Sequence, residues 1–189
     1  MLALVLGSAV PVPAWPDGQQ ANVFDLQGRV TDPLDIAGGM RATVLVFTRT
    51  DCPIANRLLP VVERLRAAYE PRRVRFWLVF VDPSEPAATI RNHLTEFDQH
   101  STAIRDPRHE LVKMIGATRT PEAAVFVHDG PRSRLVYRGR IDNKFVDVGR
   151  TRRRATSHDL QDALEAALAG QTGGPRITQA VGCIIADLE

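Results

Sequence analysis

The sequence predicts an α/β protein: a mixed central sheet with helices on both faces, a three-layer sandwich. Three observations carry that expectation. The runs "ATVLVFT" (42–48) and "VRFWLVFVD" (74–82) are continuously apolar and β-rich, as strands covered on both faces require. Between them Ile54, Leu58, Val61, Val62, Leu65 and Ala68 recur at three- and four-residue spacing, with Glu63, Arg64 and Arg66 opposite, which is a helix starting at Pro53. Further on, "EAAVFVHDGPRSRLVYRG" sets two strands around His128-Asp129-Gly130-Pro131, an antiparallel hairpin. Helical connections suit parallel neighbours and a tight turn suits an antiparallel pair, so the sheet is mixed.

The remaining elements follow in order. Residues 1–19 are apolar for ten positions and then Pro-rich, like a secretory signal that lacks Lys or Arg at its front. That run is half the length needed to span a bilayer, so export to the periplasm is the expectation, with a cytoplasmic location the alternative; the chain is not expected to be membrane-spanning. Residues 20–170 read as one domain and 171–189 as a tail carrying Cys183. "NVFDLQGRVTDPLDI" reads as an opening hairpin about a Gly-containing turn. Ser84 is expected to cap a helix running to about Phe97, with Pro86 in its first turn. "STAIRD" is a short strand, and "RHELVKMIG" a short helix closed by Gly116. Ser157 begins a last amphipathic helix that Gly170 stops, and the tail beyond it reads as irregular and mobile.

Composition excludes several functions. With 24 basic and 22 acidic residues in 189, the net charge is +2, which gives no general drive toward nucleic acid. The densest basic run, Arg150 with Arg152, Arg153 and Arg154, reads as a solvated loop. Two cysteines, Cys52 and Cys183, are too few for a disulfide scaffold or a thiolate zinc site. The five histidines show no ligand spacing and there is no Gly-rich phosphate loop, so neither a metal nor another cofactor is expected.

The chemistry centres on "LVFTRTDCPIANRLLPVVERL" (45–65), where a strand ends, a turn presents Cys52 and a helix begins at once. A cysteine at a helix N-terminus faces unpaired N–H groups and the positive end of the dipole, both of which favour the thiolate. Pro53 suits the first helical position because it has no N–H to leave unpaired. The turn lies at the carboxyl end of a parallel strand, where open α/β sheets place their sites. Arg49 and Arg57 are candidates to lower the thiol further, with Asp51 acting against them. The opposing reading makes Cys52 inert packing, the commoner fate of a lone cysteine. Far along the chain "ATRTPEAAVF" sets Pro121 just before a β-run, with a cis peptide after Thr120 or a trans proline at a strand start as the alternatives. Asp142, Asp147 and Arg140 either line the cysteine pocket or form a surface ion pair.

Together, "VLVFTRTDCPIANRLLPVVERL" and "TRTPEAAVF" resemble the thioredoxin superfamily, in its redoxin branch of peroxiredoxin-like proteins and thiol–disulfide oxidoreductases. The likeness runs from about Val23 to Leu168 and extends to a bacterial subgroup with "YRGRID" (137–142) and a late Gly-Cys. It implies a thioredoxin-like fold, Cys52 as redox nucleophile, and Thr120-Pro121 as the cis-proline loop facing it. Thr48 and Arg49 would help to bind the substrate, a peroxide or a protein disulfide, and an external thiol would serve as reductant. The chain departs from the pattern at two positions. Ala55 replaces the second cysteine of a Cys-x-x-Cys motif, which excludes dithiol exchange within the motif. Arg49 stands where peroxiredoxins carry a threonine, flanked by Thr48 and Thr50. A lone thiol still attacks a peroxide or disulfide provided the product is resolved elsewhere. Cys183, in "AVGCII", is the candidate resolving thiol. The alternative from another class is a non-enzymatic binding or metal- and haem-handling module that has lost its dithiol chemistry.

Overall fold

The computed structural model describes residues 21–35, 39–129, 132–171 and 173–186. The signal-like segment and Gly130-Pro131 of the hairpin turn lie outside the described residues. The strands are β1 (Val23–Asp25), β2 (Val30–Thr31), β3 (Ala42–Thr48), β4 (Val74–Phe80), β5 (Thr102–Arg105), β6 (Arg119–Thr120), β7 (Glu122–Asp129), β8 (Arg132–Gly139), β9 (Phe145–Asp147), β10 (Arg150–Thr151), β11 (Arg176–Ile177) and β12 (Cys183–Ile184). The helices are α1 (Pro53–Tyr69), α2 (Ala87–Glu96), α3 (Glu110–Ile115) and α4 (Asp159–Leu168).

Eight strands form the main sheet in the order β11-β8-β7-β3-β4-β5-β1-β2. β3, β4 and β5 run parallel, joined through α1 and α2, whereas β7 and β8 are an antiparallel hairpin added beside β3. All seven residues of β3 are buried, the property its unbroken apolar run predicts. Its side chains alternate between two cores. Val44 and Val46 pack with α1, α2 and α4, while Leu45 and Phe47 pack with α3 on the opposite face. The mixed sheet and its two covered faces are those expected from the sequence.

Three local expectations change. Ser84 does not cap α2: its N–H and hydroxyl both bond Asp82 Oδ1 in a turn, and the extended Pro86 precedes the first helical residue. An Asp two residues upstream competes for Ser84, and the rigid prolyl φ sets the helix start instead. The segment after Ile141 folds as the small β9–β10 ladder, which lacks the long apolar run that flags a strand. The tail is not irregular. β11 pairs parallel with β8, and β12 pairs antiparallel with β6.

Side chains anchor this tail to the body. Asp159, 1% exposed at the start of α4, takes bonds from Arg140 at 2.8 Å and from Arg176 on β11 at 2.9 Å. The Tyr137 hydroxyl lies 2.6 Å from the Arg140 carbonyl and 2.7 Å from the Thr178 hydroxyl. Gly139 allows the close crossing: a Cβ there would lie 2.1 Å from Thr178 Oγ1, and its φ of +150° is one that L side chains rarely adopt. Ile185 beyond β12 is buried, and its N–H donates to the Thr118 carbonyl at 3.0 Å.

Candidate functional site at Cys52, Thr120 and Cys183

Cys52 is the residue that caps α1, with extended backbone and with Pro53 as the first helical residue. Its carbonyl accepts the first helical bond, from Asn56 N–H at 3.0 Å, so its side chain is left among the unpaired donors of the first turn. The loop before it is fastened from two sides. Glu85 accepts from the Thr50 N–H at 3.1 Å and from the Thr50 hydroxyl. The Asn56 amide donates to the Thr50 carbonyl at 2.8 Å and is itself paired with His93 at 2.9 Å. Glu85 is buried, and desolvation holds its carboxyl above the usual range although the Thr50 bonds pull it down.

Opposite the helix start lies the segment Thr120-Pro121, whose peptide bond is cis. The Cys52 Sγ donates to the Thr120 carbonyl at 3.1 Å. The tail meets the same residue from the other side: Cys183 stands opposite Thr120 in the β12–β6 ladder, and the Arg119 guanidinium donates to the Gly182 carbonyl at 3.2 Å. Gly182 makes this approach feasible, because a Cβ there would lie 2.0 Å from the Thr120 carbonyl oxygen. Cys183 packs against the core cluster that contains Cys52, and neither cysteine is in a disulfide.

The two thiols are electrostatically unequal. Burial pushes Cys52 up, but bonds from the Cys183 thiol, Thr120 and the Ala55 N–H outweigh it, and Cys52 sits below the ordinary thiol value. The Thr120 hydroxyl, within reach of the sulfur, is buried with no other hydrogen-bond partner. Cys183 is pushed up to about 11, by burial and then by the bond to Cys52 and the charge that Cys52 acquires on ionising. Of the two thiols, Cys52 therefore gives up its proton the more readily.

The cations expected to act on Cys52 do something else. Arg49 bonds Asp51 at 2.9 Å and Asp82 at 3.1 Å, and its charge is felt at Cys183. The Arg57 guanidinium lies over the Phe145 ring, 5.9 Å from its centroid. Thr48 ends β3 with its hydroxyl buried and unpartnered among the described residues. Arg140 bonds Asp159 and, with Asp147, lines a groove that includes Gly182, while Asp142 takes the Lys144 N–H at 2.8 Å. Among the described residues no group of three or more His, Cys, Asp or Glu is placed to hold a metal ion, and no helix is long and apolar enough to cross a membrane.

Sequence reasoning missed Gly182 and the Thr120 carbonyl. A backbone acceptor leaves no mark on residue identity, although the glycine beside the late cysteine was a signal of close approach.

The fold recurs in solved structures. An uncharacterized conserved protein from Geobacillus kaustophilus superposes with a TM-score of 0.72 at 24% identity, over 93% of this chain and 94% of its own. A hypothetical protein from Sinorhizobium meliloti 1021 gives a TM-score of 0.71 at 20% identity, over 94% of each chain. A secreted Mycobacterium tuberculosis disulfide oxidoreductase homologous to E. coli DsbE gives 0.52 at 18% identity, over 78% of this chain and 93% of its own. The chain has a thioredoxin-like fold. No protein-family model and no curated protein matches the sequence. Within the thioredoxin-like fold, α1 carries the Cys52 turn, and Thr120-Pro121 is the cis-proline segment beside it.

Proposed function

We propose that this protein is a thiol–disulfide oxidoreductase whose redox pair is Cys52 and Cys183. The observation that carries the reading is that Thr120 meets both cysteines: its carbonyl accepts from Cys52, and Cys183 stands opposite it in the β12–β6 ladder. A disulfide needs the two cysteines close together, and the ladder that sets Cys183 opposite Thr120 brings it beside the residue that Cys52 bonds. The cysteine that the motif lacks at Ala55 is thereby supplied by the tail.

In this reading β12 lifts from the buried Cys52 while the pair is reduced, and Cys52 attacks a partner's disulfide. One partner sulfur leaves with the bond's electron pair and takes a proton, and the other stays bonded to Cys52. Cys183 then loses its proton and attacks Cys52, which releases the second partner thiol and leaves the Cys52–Cys183 disulfide. An external thiol restores both cysteines. The difference in acidity supports these roles, since the first nucleophile must ionise readily and the second is held as S–H until it is needed. Disulfide exchange is favoured over peroxide reduction because Arg49 is engaged by two carboxylates instead of facing the sulfur. The signal-like opening, with the likeness to a secreted oxidoreductase, supports an oxidising compartment outside the cytoplasm.

The test is oxidation of the reduced protein with oxidised glutathione, followed by peptide mapping without reduction. A fragment joining the Cys52 and Cys183 peptides is expected, together with turnover of a peptide disulfide that Cys52→Ser and Cys183→Ser variants lack. Unlinked cysteines and unchanged turnover in both variants would refute the pairing. Turnover of hydrogen peroxide alone would refute the disulfide substrate.

A further inference from the structure

The two sulfurs differ in access as well as in proton affinity. Cys52 is 0% exposed, enclosed by the helix start, the Thr120-Pro121 segment and the tail. Cys183 is half-buried on β12, a strand whose only pairing among the described residues is to β6 and whose next residue, Ile184, is 66% exposed. A polar groove of about 350 Å³ is lined in part by Arg119, Asp147, Arg152, Val181 and Gly182, the residue before Cys183. There is thus room for an incoming molecule on the Cys183 side.

We infer that the thiol which reduces the oxidised protein attacks Cys183, and that Cys52 is the sulfur that leaves. The inference rests on the Cys52–Cys183 pairing proposed above. Thiol–disulfide exchange proceeds with attacking, attacked and departing sulfurs roughly in line. The disulfide itself would hold β12 over the buried Cys52, so an incoming thiolate reaches the half-buried Cys183 first. The partner's thiolate forms a new S–S bond to Cys183. The Cys52–Cys183 bond breaks, and its electron pair goes to Cys52, which departs as thiolate. A second partner thiolate then attacks the partner sulfur of that mixed disulfide. This yields the partner disulfide, and Cys183 takes up a proton as it is released. Two partner thiols are oxidised and one protein disulfide is reduced.

Leaving-group chemistry points the same way. The sulfur whose thiolate is better stabilised departs faster, and Cys52 has the helix start and the Thr120 and Cys183 contacts to stabilise it. At Cys183 the Arg49 charge favours the thiolate but is outweighed by burial and by Cys52. Tail and active-site turn therefore divide the work: electrons enter at Cys183 and are handed to substrate from Cys52.

Glutathione is the probe. The oxidised full chain is mixed with excess glutathione and quenched with acid at short times. Free thiols are then alkylated and each cysteine peptide is mapped. The expected result is glutathione on Cys183 with alkylated Cys52, exceeding the reverse adduct by about ten-fold or more. Glutathione mainly on Cys52, or shared equally, would overturn the assignment while leaving the redox pair intact. A chain that forms no Cys52–Cys183 disulfide under oxidation would overturn both.

Discussion

Cys183 stands opposite Thr120 in a two-stranded antiparallel ladder, and the Thr120 carbonyl is the acceptor for the Cys52 thiol. One backbone residue therefore positions both sulfurs. The tail that carries Cys183 is consequently a part of the site rather than an appendage to it.

Gly182 is the most sensitive point in that ladder. In Gly182→Ala the new methyl would lie 2.0 Å from the Thr120 carbonyl oxygen, a distance that backbone must move to relieve. The main sheet is untouched, and of β12's neighbours only Ile185 belongs to a core, so the variant should fold with a melting temperature modestly below the parent's. Alkylation of Cys52 by iodoacetamide should rise about ten-fold as β12 lifts away, and the yield of intramolecular disulfide should fall. Unchanged alkylation of Cys52 would show that β12 does not cover it.

The proton inequality gives a pair of opposite shifts. Cys52 ionises below the ordinary thiol value partly because Cys183 donates to it, so Cys183→Ala should raise the Cys52 pKa. Cys183 is held at about 11 by burial and then by Cys52, so Cys52→Ala should bring it part of the way back down. Alkylation rate against pH in the two single-cysteine variants measures both. Profiles that shift together in one direction would contradict the coupling.

Glu85 fixes the turn that presents Cys52, through both polar groups of Thr50. Its folded carboxyl is held up by desolvation, so its contribution to stability is complete below the ordinary Glu value and is lost as pH rises through the folded value. Glu85→Gln keeps an acceptor for Thr50 without the buried charge. Melting curves between about pH 4 and 8 should show the Gln variant gaining on the parent as pH rises. Parallel curves would count against a buried, desolvated carboxyl there.

Asp159 ties the tail's first strand to α4. Its carboxyl lies below the usual range: burial raises it, and Arg140 and Ser157, with Arg176, outweigh that. The stability it contributes is present at neutral pH and is lost as pH falls through its depressed folded value. Asp159→Ala should cost about 1–3 kcal/mol in urea unfolding at neutral pH, because Arg140 and Arg176 are partly exposed and regain water. A variant as stable as the parent would show that the anchor is dispensable.

Periodicity made the main sheet legible, because β3, β4 and β7 are buried on both faces and α1 has a clean apolar stripe. Cys52 was legible for a local reason, since strand, cysteine, proline and helix are contiguous in sequence. β11 and β12 were not. Each has two residues, too few for a period-two signal, and each exists because of its partner strand. Arg49 and Arg57 show the converse. Sequence proximity made them neighbours of Cys52, but Asp82 lies 33 positions from Arg49 and Phe145 is remote from Arg57, so their partners were invisible from the motif.

The most direct measurement is a redox titration of the full chain in glutathione buffers of graded potential, with each cysteine peptide mapped at every point. A Cys52–Cys183 pair predicts a single two-electron transition in which both peptides pass together from alkylated to mutually linked. Two cysteines that titrate separately, each ending as its own glutathione adduct, would contradict the account.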